Sequence, residues 1–193
     1  MPSEKDELSK IKEIRNLETP AIYIRHICHL RFNELLHQHP VYINVIRDPV
    51  ETFVSNYYYR RFGFNGEKAS SGNKWSTQMS TSERNQTIGE CIEWQQDECT
   101  KPWSNLIPFL CGSSKICLSR SAEALEIAKR RVEYDYTLVG LTEDFLNTVR
   151  ALEKLVPSFF DGASEIYIGQ STQLHEHSKT SNRQGTFPKW EHS

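Results

Sequence analysis

No stretch of this chain approaches the roughly 18 consecutive apolar residues of a membrane span. The first twenty residues, MPSEKDELSKIKEIRNLETP, are charged and hold no apolar core, so no secretion signal or anchor is expected in the chain as it stands. An excess of positive charge is missing as well: 23 Lys and Arg face 25 Asp and Glu, a formal net charge of −2. No global field draws the chain to nucleic acid or to an anionic lipid surface, and any polyanion site must be local. Internal repeats are absent. The length, 193 residues, suits one domain around a single core.

Cysteine is scarce, and its placement is informative. Cys91 and Cys99 lie eight apart, Cys111 and Cys117 six apart, and Cys28 stands alone in a histidine-rich segment. Two close pairs plus a single residue suit small disulfide loops of an oxidising compartment. Zinc is the rival reading, although its usual C-x2-4-C pairs do not occur. Asn85-Gln86-Thr87 is an N-glycosylation sequon in polar surroundings, which makes Asn85 a candidate glycan acceptor.

Along the chain, Leu8, Ile11, Ile14 and Leu17 form one apolar stripe over residues 4–17, and Pro20 ends that helical pattern. AIYIRHI at 21–27 is rich in β-formers. VYINVI at 41–46 follows Pro40 and reads as a strand buried on both faces of a parallel sheet. Asp48-Pro49 then opens a helix carrying Val50, Phe53, Val54, Tyr57 and Tyr58. Residues 63–90 are rich in Gly, Ser, Thr and Asn and read as a long mobile loop, followed by the cysteine-bearing section 91–117. A helix is expected over 119–134, a second buried strand over 136–141, and a further helix carrying Phe145, Val149, Leu152 and Leu155 and ending before Pro157. The alternation predicts an α/β domain over residues 1–170, with a polar tail over 171–193.

The segment 41–63 concentrates the chemistry. A strand ending at Arg47 and followed by a helix start puts a guanidinium and unpaired backbone N–H groups at a sheet's carboxyl edge, where α/β folds bind anions. Ser55, two helical turns on, shares an anion with Arg47 only if the chain bends back. Equally, Arg47 pairs with Asp48 or Glu51, and Ser55 faces a neighbouring helix.

Pro40-Val-Tyr-Ile-Asn-Val-Ile-Arg-Asp-Pro-Val50, with Ser55-Asn56-Tyr57 and Arg60-Arg61-Phe62-Gly63, resembles the uronyl 2-O-sulfotransferases and, slightly less, the heparan sulfate 2-O-sulfotransferases. The resemblance continues through Glu90-Cys91, Ile107-Pro108-Phe109, Cys111-Gly112, Cys117, Leu138-Val139-Gly140, Pro157 and Phe159-Phe160, covering about residues 18–168. It implies a sulfotransferase-type parallel sheet flanked by helices, similar to P-loop NTPases. It also implies 3′-phosphoadenosine 5′-phosphosulfate as donor, with no metal, and the 2-hydroxyl of a uronic acid in a glycosaminoglycan as acceptor. By position Arg47 and Ser55 inherit the 3′-phosphate contacts. The family's two short disulfides map onto Cys91–Cys99 and Cys111–Cys117. Glu18-Thr19-Pro20 and Arg25-His26 also resemble the family, whose histidine here is the catalytic base, and a neutral imidazole suits removal of a sugar hydroxyl's proton near neutral pH. A metal cluster of His26, Cys28, His29, His37 and His39 is disfavoured, because alternate residues of a strand face opposite ways.

Lys179 and Arg183 lie where the family carries a basic loop over the nucleotide. Arg60, Arg61, Lys68, Lys74 and Arg84 are candidates to meet a sulfated, carboxylated polymer. Expected surroundings are the Golgi lumen or membrane, in a longer form of the protein, as a glycoprotein and possible homo-oligomer, without nucleic acid. Such enzymes begin with a strand, a Lys- and Ser/Thr-bearing loop and a helix that clasp the 5′-phosphosulfate, and nothing before residue 18 resembles them. The expectation is therefore a domain incomplete at its N-terminus and inactive alone. The alternative is a degenerate, non-catalytic glycosaminoglycan-binding or partner subunit, or a lumenal α/β domain without catalytic function.

Overall fold

The computed structural model describes residues 4–36, 39–62, 79–100 and 106–177. In chain order the elements are α1 (Glu4–Arg15), α2 (Phe32–Leu36), β1 (Tyr42–Ile46), α3 (Pro49–Phe62), α4 (Thr81–Asn85), α5 (Ile88–Glu93), α6 (Asp97–Thr100) and α7 (Leu106–Cys111). They continue with α8 (Lys115–Ser119), α9 (Ala122–Tyr134), β2 (Tyr136–Leu141), α10 (Phe145–Leu155), α11 (Pro157–Phe160) and α12 (Ala163–His177). The chain is rich in α-helix around a small parallel sheet. No helix among the described residues is long and apolar enough to cross a membrane.

Two compact units emerge: Met1–Ile46 with Asn105–Phe159, and Arg47–Ser104 with Phe160–Ser193. In the first, β1 and β2 pair in parallel with Ile43 opposite Leu138 and Ile46 opposite Leu141. A parallel pair needs a long crossover, and the 89 residues between these strands satisfy that easily. The five β1 residues are all half-buried, so the continuous apolar run does not mark a strand covered on both faces. Residues 21–27 form no strand. Ile22 and Ile24 are exposed there, and β-formers without a pairing ladder do not make a sheet.

The helical part of this unit is built from short caps and small residues. Ser121 caps α9 by accepting from the Ala124 amide, and Ala124 and Ala128 let α7 and α8 pack closely against it, around Leu110, Cys111 and Cys117. Cys111 and Cys117 are bonded, with Cα atoms 5.4 Å apart. Ile11 of α1 is fully enclosed with Leu30 and Phe32. Gly140 of β2 lies against α10: a Cβ there would fall 2.1 Å from the Thr148 methyl. The Thr148 hydroxyl in turn accepts from the Leu141 amide at 3.1 Å.

In the second unit, Asp48 caps α3 by accepting from the Glu51 amide at 2.9 Å, with Pro49 in the first turn. Its inward face carries Val54, Tyr57 and Tyr58 against Ile88 and Cys91. Part of the stretch read as a loop over 63–90 is helical: Ser80 with Glu83 and Thr87 with Glu90 form successive capping boxes that start α4 and α5. Residues 63–78 of that stretch lie outside the described residues. Cys91 and Cys99 are bonded, their Cα atoms 6.1 Å apart. α12 runs through His177, seven residues into the segment read as a polar tail.

Candidate functional site

Of the expected donor residues, Arg47 lies just before α3 and Ser55 in the middle of that helix. Arg47 precedes the helix and donates from Nη2 to Glu51 Oε2 at 3.1 Å, in a pair open to solvent on both sides. Ser55 follows one helical turn after Glu51 and is half-buried. Asp48 occupies the Glu51 amide, so an incoming anion here meets a helix terminus already furnished with two carboxylates. The pairing weighed from sequence, Arg47 with Glu51, is the one the fold makes.

His26 lies in the irregular segment before α2 and is exposed to solvent. Arg25 beside it donates to the Ile24 carbonyl and covers the Tyr23 ring at 5.5 Å. Cys28 keeps a free, half-buried thiol whose pKa is pushed up by burial. Among the described residues no group of three or more His, Cys, Asp and Glu is placed to hold a metal ion.

The arginines expected to meet a polymer separate sharply. Arg60 is half-buried and donates from Nε to Asn56 Oδ1 at 3.1 Å, at the rim of a shallow hollow lined also by Phe53, Tyr57 and Glu98. Arg84 is half-buried in α4. Arg61, with its side chain 1% exposed, is enclosed. It donates to the Tyr57 and Glu83 carbonyls, forks onto the Glu98 carboxylate, and lies 3.5 Å over the Tyr57 ring. Four of its five N–H groups are engaged internally, which takes Arg61 out of the polymer-contacting set. Lys68, Lys74, Lys179 and Arg183 lie outside the described residues.

Two buried polar arrangements escaped the sequence reading. One is Arg61 with Glu98, flanked by Tyr57, whose hydroxyl bonds the Gln86 and Thr87 carbonyls at 3.1 Å and whose pKa is pushed up to about 12 by burial. The other surrounds His29, 5% exposed and stacked on Tyr42. Its Nδ1 meets the Arg131 guanidinium and its Nε2 lies 3.2 Å from Asp135 Oδ2. Burial, and then the Arg131 charge, push the His29 pKa down to about 4, so the ring is neutral at pH 7. Glu7 anchors the same region by accepting from the Arg31 backbone amide and guanidinium. Its burial pushes its pKa up, but the Arg31 bonds outweigh that and leave it below the usual carboxylate range. The separation of Glu7 and Arg31, 24 residues apart, gave no local signal.

No protein-family model matches the chain. It is 37% identical to uronyl 2-sulfotransferase of Homo sapiens over 186 residues, 95% of this chain and 44% of that protein. The Mus musculus protein of the same name is 38% identical over 84% of this chain and 40% of its own length. Heparan sulfate 2-O-sulfotransferase 1 of Gallus gallus is 36% identical over 80% of this chain and 43% of its own. The chain thus spans less than half the length of these relatives.

Proposed function

The chain is a relative of the uronyl and heparan sulfate 2-O-sulfotransferases over most of its length, and on that premise we propose that it serves sulfate transfer to the 2-hydroxyl of uronic acid residues in a glycosaminoglycan. The single observation that carries this reading is identity of 36–38% sustained over 80–95% of the chain. The donor is 3′-phosphoadenosine 5′-phosphosulfate, acting in the Golgi lumen of a longer, membrane-anchored form, with the two disulfides suited to that compartment.

The residues present fit one end of that donor. Arg47, just before α3, and Ser55, in the middle of that helix, are assigned its 3′-phosphate by the resemblance. Glu51 must yield its hold on Arg47 for this, which makes the phosphate and the Glu51 carboxylate rivals for one guanidinium. Lys179 and Arg183, outside the described residues, are assigned by the same resemblance to the nucleotide. His26 removes the proton of the acceptor hydroxyl as its oxygen bonds to sulfur. The sulfur–oxygen bond to the phosphate breaks and the nucleotide bisphosphate leaves. Exposure keeps the His26 imidazole accessible to a polymer, as such a base requires. Arg60 and Arg84 contribute positive charge toward the sulfated chain.

The test uses the longest native form of the protein. His26→Ala should lower sulfate transfer by about 10²–10⁴, the usual cost of losing a general base, with nucleotide affinity nearly unchanged. Wild-type turnover in that variant places the base elsewhere. A wild-type protein that binds the polymer but transfers no sulfate defeats the enzymatic reading in favour of a binding subunit.

A further inference from the structure

The triplet Asn85-Gln86-Thr87 is the one Asn-X-Ser/Thr sequence in the chain, and the sulfotransferase reading leaves it unused. It straddles the junction of α4 and α5, where Gln86 leaves the helix with φ −62° and ψ 135°. That backbone is extended, and in an extended segment alternate side chains point the same way. Exposure follows the same alternation: Asn85 and Thr87 are open to solvent, and Gln86 between them is 7% exposed. The Tyr57 hydroxyl fixes this arrangement from beneath by donating to the carbonyls of Gln86 and Thr87 at 3.1 Å. A continuous helix would instead turn residues two apart by about 200°, onto opposite faces. The break therefore leaves Asn85 and Thr87 both exposed on either side of the buried Gln86.

We infer that Asn85 carries an N-linked oligosaccharide. This rests on the lumenal setting of the proposed function and adds to it a modification that the function does not require. In the transfer, Asn85 Nδ2 forms a bond to the anomeric carbon of a polyprenyl-diphosphate-linked oligosaccharide. The bond from that carbon to the diphosphate oxygen breaks, the lipid diphosphate leaves, and the amide gives up one proton. The fold accepts the product because the modified side chain faces water. Thr87 then completes its own role after transfer, accepting from the Glu90 amide at 3.2 Å and donating to the Glu90 carboxylate. A glycan here is bulky and polar, and it stands next to Arg84 on a five-residue helix.

The experiment expresses the whole chain behind a cleavable secretion signal in eukaryotic cells, with peptide N-glycosidase treatment and intact-mass measurement. Wild type should lose the mass of one oligosaccharide on treatment, with Asn85 converted to Asp. Thr87→Ser, which keeps both cap and sequon, should do the same, and Asn85→Gln should show no change while melting at the same temperature. Secreted wild type with both disulfides formed and no enzyme-sensitive glycan would overturn the inference. So would a glycan that persists in Asn85→Gln. The forced lumenal route makes the outcome independent of sulfate transfer, whose failure would appear only in the activity assay.

Discussion

In the unit holding α3, the Arg61 guanidinium is enclosed and faces the Glu98 carboxylate. In the unit holding α9, Arg131 keeps 16% of its side chain exposed and faces the neutral His29 ring, with Glu34 at 3.6 Å. Both arrangements tie distant segments together, but they differ in what answers the charge. Arg61 is matched by a full negative charge and two carbonyls, with its own side chain enclosed. Arg131 meets a ring whose pKa the fold lowers to about 4, with the Glu34 carboxylate farther off. The first should therefore be sensitive to substitution and the second to pH.

The largest expected effect comes from removing the Arg61 partner. Glu98→Ala leaves a buried guanidinium without its counterion and should cost about 3–5 kcal/mol in urea unfolding. Replacing both members by methionine should recover much of the loss, because burying two apolar chains avoids the desolvation of two charges. A cost below about 1 kcal/mol for Glu98→Ala would show that water reaches Arg61 and would erase the contrast.

The second effect is acid lability in the other unit. His29 has its pKa lowered from 6.5 to about 4, so the unfolded chain takes up a proton that the folded chain refuses. That contribution is complete above pH 6.5 and is lost as pH falls toward 4, up to about 3 kcal/mol. Glu7, also lowered, adds its own loss only below the ordinary carboxylate pKa of 4.5, which leaves the window above that to His29. Denaturant midpoints from pH 7 to 4.5 should fall in wild type and flatten in His29→Gln. Equal slopes in the two proteins would mean that His29 titrates freely.

The smallest effect on stability is expected at the exposed Arg47–Glu51 pair, which belongs to neither network. Arg47→Ala removes an i,i+4 pair and should change stability by no more than about 0.5 kcal/mol. Affinity for the nucleotide bisphosphate should nevertheless drop roughly tenfold or more, the loss of a charge-assisted hydrogen bond. A fall in melting temperature that parallels the fall in affinity would make Arg47 a structural residue like Arg61.

Local signals were legible where a single stretch contains the cause. Asp48-Pro49 announced the start of α3, and three-residue spacing announced α1, because a cap and a stripe are written in neighbouring residues. The cysteine spacing marked the two short loops for the same reason. Ser80-x-x-Glu83 and Thr87-x-x-Glu90 were equally readable as helix starts, but the polar composition around them suggested a loop. Residues 21–27 misled in the other direction: their β-forming side chains were present, and the pairing partner was not. Arg61 and His29 were beyond local reading. Arg61 stood in sequence beside Arg60, chemically identical, and only Glu98, 37 residues away, separates an enclosed strut from a half-buried donor.

The close approach of Gly140 to Thr148 bears on how such a chain can vary. Because a methyl at position 140 would overlap the Thr148 side chain at 2.1 Å, and even its β-carbon at 2.9 Å, neither residue is free to drift alone. A larger residue at 140 requires the Thr148 side chain to shrink or shift, and losing it forfeits the hydroxyl that holds the Leu141 amide. Change at either position alone is therefore disfavoured, so across descendants these two positions should be inherited together.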